Sequence, residues 1–323
     1  MIIRFSLLAA ALFAGTPLAA QTIPTKLDAV AGIPDIDRTG QTQDVAFKTE
    51  PYDRMTVPVR LSGTGPYRFL VDTGADKTAI SRQIAGRLNL VSGTATALHT
   101  MGGVATVSTA NVPNLELARK DLNIADAPLL DSTNMGADGI LGVDSLSSQR
   151  VVFDFEGQTM SIVPSRAAEV IEPGAIVVNA HRKKGRLLMT DATANGHNLA
   201  VVVDTGAQVS IGNEALRQKL TARNLTDPLQ KVQLLSVTGQ SISGDYMFIK
   251  ELVIGGITLK DLAVVFTDAH AFHQMGLDRK PALLLGMNAM RAFKKVSIDF
   301  ANKKFRVVLP EASELDTRLA SAI

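Results

Sequence analysis

The chain has 323 residues, with 33 Lys+Arg against 31 Asp+Glu and a formal net charge of +2. Near balance of charge, without a long basic run, offers no electrostatic case for nucleic acid. The chain has no cysteine, which excludes disulfides, thiolate catalysis and cysteine metal sites. Its length suffices for two ordinary domains with sizeable cores.

The N-terminus reads "MIIRFSLLAAALFAGTPLAAQ". Arg4 supplies a positive start, Phe5 to Ala14 a short apolar run, and Pro17 precedes small residues with a cleavage point after Ala20. Residues 1–20 are therefore expected to be a secretory signal, too short to favour a stable membrane span. An uncleaved anchor is the alternative. No cysteine follows to carry a lipid, and no other stretch is apolar and long enough to span. The expectation is an exported, soluble protein, periplasmic if the source has two membranes and otherwise secreted. Residues 21–49 read as a polar arm.

Next come the strands. "MTVPVRL" alternates, "SGTGP" turns, and "YRFLVD" runs apolar into Asp72. "KTAISRQIAGRLN" carries a short helix. "DGILGVDSL" follows from Asp138, then the hairpin "VVFDFEGQTMSIV", with its turn at Glu156-Gly157. Pro164, Pro173 and Gly174 punctuate a boundary, after which "HRKKGR" (His181 to Arg186) reads as a solvated basic loop. "LLMTDAT", "ANGHN" and "LAVVVD" then repeat the first hairpin, with Asn195-Gly196 as the turn and Asp204 at the end. "NEALRQKLTARN" repeats the helix, "ALLLGMNAM" the apolar-Gly element, and "VSIDFANKKFRVV" the closing hairpin. The tail "PEASELDTRLASAI" reads as a small helix.

Three landmarks thus recur in the same order, which marks a duplication. The Asp-Thr-Gly-Ala motifs are 132 positions apart, the glycines Gly142 and Gly286 are 144 apart, and Asp154 and Asp299 are 145 apart. The extra positions fall between the first two landmarks, where loops lengthen cheaply. The predicted fold is all-β with short helices: a first lobe over 50–165, a second over 175–310, and a tail over 311–323.

A hydrophobic strand ending in Asp-Thr-Gly offers a carboxylate, a hydroxyl and a glycine that permits close backbone approach. Two copies about a pseudo-two-fold axis would bring Asp72 and Asp204 together, with Thr73 and Thr205 bonding across the axis beside Gly74 and Gly206. Two carboxylates about 3 Å apart cannot both ionise easily, so the pair holds one proton. One then draws a proton from water while the other polarises a carbonyl, which hydrolyses an amide with no metal or covalent intermediate.

These residues resemble the pepsin/retropepsin-type aspartic proteases. "DTGAD", from Asp72 to Asp76, is close to the retropepsin signature, and "DGILG" and "LLLG" resemble the apolar-apolar-Gly element behind each catalytic loop. The resemblance runs from Val57 to Val308. It implies two retropepsin-like acid-protease β-barrel lobes in one chain, acting as a monomeric endopeptidase on a peptide or protein, with no cofactor and no metal. It also implies glycine-tipped flaps, matched by "LHTMGGVATV" with Met101, Gly102 and Gly103, and by "LLSVTGQSIS" with Val237, Thr238 and Gly239. Neither carries the pepsin flap tyrosine. Asp76 is replaced by Gln208 in the second copy, so the lobes are expected to contact substrate unequally.

Other polar residues read as structural. Asp144 and Asn288 are expected to cap helices, and Asp154 and Asp299 to face solvent or bond a turn. "HAFH" (His270 to His273) invites a zinc reading, which lacks a matching acid in a clear helix. The rival functional class is a catalytically silent peptide- or protein-binding module of the cell envelope. A third arrangement pairs lobes between chains.

Overall fold

The computed structural model describes residues 35–36, 55–117, 120–169, 171–172, 174–221 and 230–310. The expected signal, most of the polar arm and the tail lie outside them. Among the described residues no helix is long and apolar enough to cross a membrane.

The first half closes into a six-strand barrel. Strands Thr56–Leu61 and Thr64–Val71 form its opening hairpin. Their two-residue link is Ser62 and Gly63, both left-handed at φ 48° and 75°, the geometry that suits the twist of paired strands. Asn195 and Gly196, at φ 47° and 79°, make the same turn between Ala192–Ala194 and His197–Asn198. The second half belongs to an eleven-stranded sheet rather than a closed barrel. The Asp35–Ile36 strand of the arm pairs antiparallel with Leu259 and Lys260 of that sheet.

Both halves repeat one central pattern. Thr64–Val71 runs parallel to Gly139–Leu141, which pairs antiparallel with Ala79–Ser81, itself parallel to Lys120–Leu130. In the second half Ala200–Val203, Ala282–Leu285, Ser210–Gly212 and Ile257–Phe266 pair in the same senses. Where they meet at the centre of each half these strands are buried, and there they read as short continuous apolar runs instead of alternating ones. Phe69, Leu70 and Val71 are buried, as are Val201, Val202 and Val203.

The lobes are joined by a five-stranded antiparallel sheet. Gln149–Asp154 of the first lobe pairs with Lys295–Asp299 of the second, flanked by Thr159–Pro164 on one side and by Lys304–Val308 and Ile176–Asn179 on the other. One apolar cluster runs through both lobes and this sheet, from Phe69 and Leu141 through Phe153 to Phe293 and Phe305. Asp154 and Asp299 are fully buried and bond turns: Asp154 accepts from Gly157 N–H, and Asp299 accepts from Asn302 N–H and its side-chain amide.

Buried cations on the sheet grip the segment connecting the lobes. Glu169 lies 2.9 Å from Arg306 and 3.4 Å from Arg150, and Glu172 lies 2.6 Å from Lys295. Removing one partner of such a pair strands the other charge. Lys295→Met is expected to lower unfolding stability by about 2–3 kcal/mol, with Glu172→Gln in the same chain restoring most of it. Urea unfolding midpoints of the two variants check this.

Candidate active site

Each strand that leads into an Asp-Thr-Gly loop ends where its parallel neighbour ends. Asp72 N–H donates to the Leu141 carbonyl at 3.0 Å, and Asp204 N–H to the Leu285 carbonyl at 3.1 Å. The backbone then turns sharply, and both carboxylates fold back on their own loops. Asp72 Oδ1 accepts from Gly74 and Ala75 N–H at 2.8 and 2.9 Å. Asp204 Oδ1 accepts from Gly206 N–H at 3.0 Å, and the Ala207 N–H also bonds this carboxylate.

The two loops interlock through their threonines. Thr73 Oγ1 donates to the Val203 carbonyl at 2.8 Å and accepts Thr205 N–H at 3.1 Å. Thr205 Oγ1 donates to the Val71 carbonyl at 2.7 Å and accepts Thr73 N–H at 3.0 Å. Both side chains are buried. The glycines bring each loop against the opposite acid. A Cβ at Gly74 would stand 2.6 Å from Asp204 Oδ1, and one at Gly206 would be closer still to the Asp72 carboxylate. Glycine is required at both positions by this approach, since neither has a positive φ.

Behind each loop an apolar-Gly element locks the outgoing chain. Gly142 N–H donates to Thr78 Oγ1 and Gly286 N–H to Ser210 Oγ, both at 3.1 Å. A side chain at either glycine would run into the backbone of residue 77 or 209 at about 2.5–2.6 Å. Asp144 and Asn288 were expected as helix caps, and this is corrected. Gly142 and Gly286 occupy the cap positions without side-chain cap bonds. Asp144 instead accepts from Thr78 N–H at 2.9 Å and from its hydroxyl at 2.6 Å. Asn288 Oδ1 accepts from Ser210 N–H and hydroxyl at 2.8 and 2.9 Å, while its amide donates to the Ala263 carbonyl. Both are braces between the catalytic loop and the helix behind it. One is charged and the other neutral.

The carboxylates are unequal. Asp72 is half-buried, whereas Asp204 is only 8% exposed. Burial and the adjacent Asp72 charge push Asp204 up to about 7, against the opposing pull of Arg186 and the loop N–H groups.

Arg186 was expected in a solvated loop, and this too is corrected. "HRKKGR" forms a hairpin of His181–Lys183 and Arg186–Met189 around Lys184 and Gly185, both at positive φ. Arg186 opens the returning strand and crosses to the first lobe. Its Nε donates to the Gly74 carbonyl at 2.7 Å, and its Nη1 stands 2.8 Å from Asp76 Oδ1. The side chain is 13% exposed, which a free basic loop would not permit. A signal was present in the duplication: Arg54 precedes Asp72 by the same interval that separates Arg186 from Asp204.

Both flap candidates are hairpins, and their tips cross over. The first pairs Thr96–Thr100 with Gly103–Val107, the second Gln230–Leu235 with the start of Ser241–Ile254. Met101 packs on a second-lobe apolar cluster that Ala207 also borders. Val237 packs on a first-lobe cluster with Leu70, Ala79 and Ile140, which Ala75 borders. The tips meet where Gly102 lies against the Gln240 side chain and Thr100 Oγ1 donates to Gln240 Oε1 at 3.2 Å. Gly239 lies against Asn134 of the first lobe, and Thr238 Oγ1 is 2.8 Å from Ser236 Oγ within its own turn. Gly103, at φ 130°, adopts a backbone few side chains tolerate.

Losing one interlocking hydroxyl leaves a buried N–H and a buried carbonyl unpaired. Thr205→Val is expected to cost about 3 kcal/mol of unfolding stability, and Thr205→Ser under 1 kcal/mol. Thermal and denaturant unfolding of the two variants measure the difference.

Comparison with protein families agrees with this geometry. Residues 57–148 match the family described as "gag-polyprotein putative aspartyl protease". Residues 190–289 match the aspartyl protease family. No curated protein matches the chain. The two matches together span more than half of the sequence and include both Asp-Thr-Gly loops. The chain therefore belongs to the retropepsin-type aspartic proteases, carrying two such domains in tandem.

Proposed function

We propose that the chain is an aspartic endopeptidase in which a water held between Asp72 and Asp204 attacks the scissile peptide carbonyl. The observation that carries this reading is the reciprocal approach of each loop glycine to the opposite carboxylate. Two acids lie in one partly buried seam, and one of them is raised to about 7. Asp204, the more buried, holds the shared proton, and Asp72 is the carboxylate that receives the proton of water. As the water oxygen bonds the carbonyl carbon, Asp204 gives its proton to the carbonyl oxygen. The tetrahedral diol then collapses: Asp72 passes its proton to the amide nitrogen, one diol hydroxyl gives its proton to Asp204 as the C–N bond breaks, and acid and amine leave with the dyad restored to one proton on Asp204. The apparent pKa values belong to the pair.

The substrate is an extended peptide lying in the cleft between lobes, its backbone bonded along the flaps. Met101, Gly102 and Gly103 contribute from one flap, and Val237, Thr238 and Gly239 from the other. Because both loops lie in one chain, the unit of activity is the monomer, and specific activity should not vary with protein concentration. The leader-like first 20 residues support export.

Asp72→Asn and Asp204→Asn are each expected to reduce peptide cleavage by at least about a thousandfold, with folding retained. Activity kept by either variant would sink the dyad assignment. A folded parent chain that cleaves nothing in a diverse peptide mixture is the result expected of a silent binding module.

The raised Asp204 carboxyl also sets the pH dependence. Cleavage should fall as pH rises through about 7, where the dyad loses its shared proton. The stability consequence has the same sign. A carboxyl raised on folding favours the native state below about 3.8 and loses that contribution as pH climbs to about 7. Asp204→Asn should therefore raise the melting temperature more at pH 8 than at pH 4, measured by scanning calorimetry at both.

A further inference from the structure

The first flap is fastened to the opposite lobe by side chains that the hydrolytic chemistry does not use. His99, on the strand entering the tip, meets His270 edge to edge, with ring centroids 5.1 Å apart and planes 7° from parallel. His99 Nδ1 stands 2.8 Å from His270 Nε2. The Gln274 side-chain nitrogen stands 2.7 Å from His99 Nδ1 and 3.4 Å from His270 Nε2. His270 N–H donates to the Met101 carbonyl at 3.1 Å, directly at the tip. His270 and Gln274 lie on one face of the short helix His270–Met275, which packs on the flap strand.

We propose that His99 and His270 form a proton-sensitive latch that holds the first-lobe flap shut while at least one ring is neutral and releases it when both are protonated. The latch rests on the reading above that this hairpin covers the dyad.

A nitrogen-to-nitrogen hydrogen bond needs one N–H and one lone pair. Two neutral rings meet this condition, and so does one neutral and one charged ring. Two imidazolium rings set N–H against N–H and bring like charges edge to edge at hydrogen-bond distance. Gln274 can turn its carbonyl toward one N–H and cannot absorb the second charge. The surrounding charges do not offset it. On the same helix His273 has its ring centroid 6.5 Å from that of His270 and adds to the repulsion; it stands 2.6 Å from Asp268 and 4.0 Å from Asp278, and Asp278 is itself 3.6 Å from Arg279. Ahead of the flap strand, Asp126 is engaged with Thr94 N–H and the Thr109 hydroxyl. Burial, with the His99 and His273 charges, holds His270 below its ordinary value of 6.5. Closure therefore binds fewer protons than opening. It is fully favoured above about 6.5 and weakens as pH falls below that value. Acid would open the cleft over the range in which the dyad keeps its shared proton.

The test uses the lack of native cysteine. Spin labels are placed at Val104→Cys, on an exposed flap position, and at Lys219→Cys, on the exposed face of helix Glu214–Thr221. Inter-label distances are measured by pulsed electron resonance at pH 8 and pH 5. A single short distribution is expected at pH 8. At pH 5 a longer one should appear, with the open-to-closed ratio raised about tenfold or more. His99→Phe and His270→Phe keep a planar ring and remove the titration, so each should abolish the pH response. His99→Gln provides the same check if a Phe variant folds poorly. Equal distributions at both pH values in the parent, or a pH response that survives in both histidine variants, would overturn the latch. The distances do not depend on hydrolysis. A failed latch in a cleaving enzyme leaves the protease reading standing, and a working latch in an inactive chain does the reverse.

Discussion

Two carboxylates that share a buried seam repel each other, and burial raises the cost of ionising either one. Something must hold them there, and in this chain it is the pair of threonine hydroxyls. Each hydroxyl spends its proton on the carbonyl that precedes the opposite aspartate and its lone pair on the opposite threonine N–H. The four bonds use backbone groups at the very ends of the catalytic strands, so neither loop can shift without leaving buried polar groups unpaired. The remaining architecture serves this junction. Parallel neighbours fix where the strands end, Gly142 and Gly286 let the chain behind pack to backbone distance, and Thr78–Asp144 and Ser210–Asn288 tie the exits down.

A duplicated scaffold would by itself make the two acids equivalent, yet acid–base work needs one protonated and one ionised. The chain departs from its own repeat in ways that separate them. Asp204 is buried more deeply than Asp72. The brace behind Asp72 is the charged Asp144, and the one behind Asp204 is the neutral Asn288. Arg186 reaches across to Gly74 and Asp76, and Gln208 stands in the second copy where Asp76 stands in the first. Symmetry supplies the meeting of the carboxylates, and unequal burial separates them, raising Asp204 against the opposing pull of Arg186.

Much of this was legible in the residues because it is local or repeated. Apolar runs ending in Asp-Thr-Gly marked strands buried on both faces. Ser62-Gly63 and Asn195-Gly196 marked tight hairpins, and recurrence at nearly constant offset marked the two lobes. Less legible were roles that depend on a distant partner. Asp144 and Asn288 follow a glycine at a helix start, a cap-like context, but their partners lie in residues 66 and 78 positions earlier. Arg186 sits in a run of basic residues that alone suggests solvent; only the facing lobe gives it an acid and a carbonyl. The closing of the first half into a barrel and the spreading of the second into an eleven-stranded sheet depend on edge pairings, including that of Asp35 and Ile36, which period and turn signals do not encode.

The crossing of the hairpin tips ties each lobe's hairpin to the Asp-Thr-Gly loop of the other lobe. Met101 leaves the first lobe to pack on the cluster bordered by Ala207, three residues after Asp204. Val237 leaves the second to pack on the cluster bordered by Ala75, three residues after Asp72. Each tip therefore adds apolar contact beside the opposite Asp-Thr-Gly loop. Close-packed side chains transmit changes in such contact because their neighbours have little room to absorb them. Under the proposed function, a substrate that draws both tips down would act on both loops together, across the seam that the threonines already hold rigid. In the proposed reaction the same movement would exclude water from the seam and so strengthen the electrostatic interactions between the carboxylates and the reacting carbonyl.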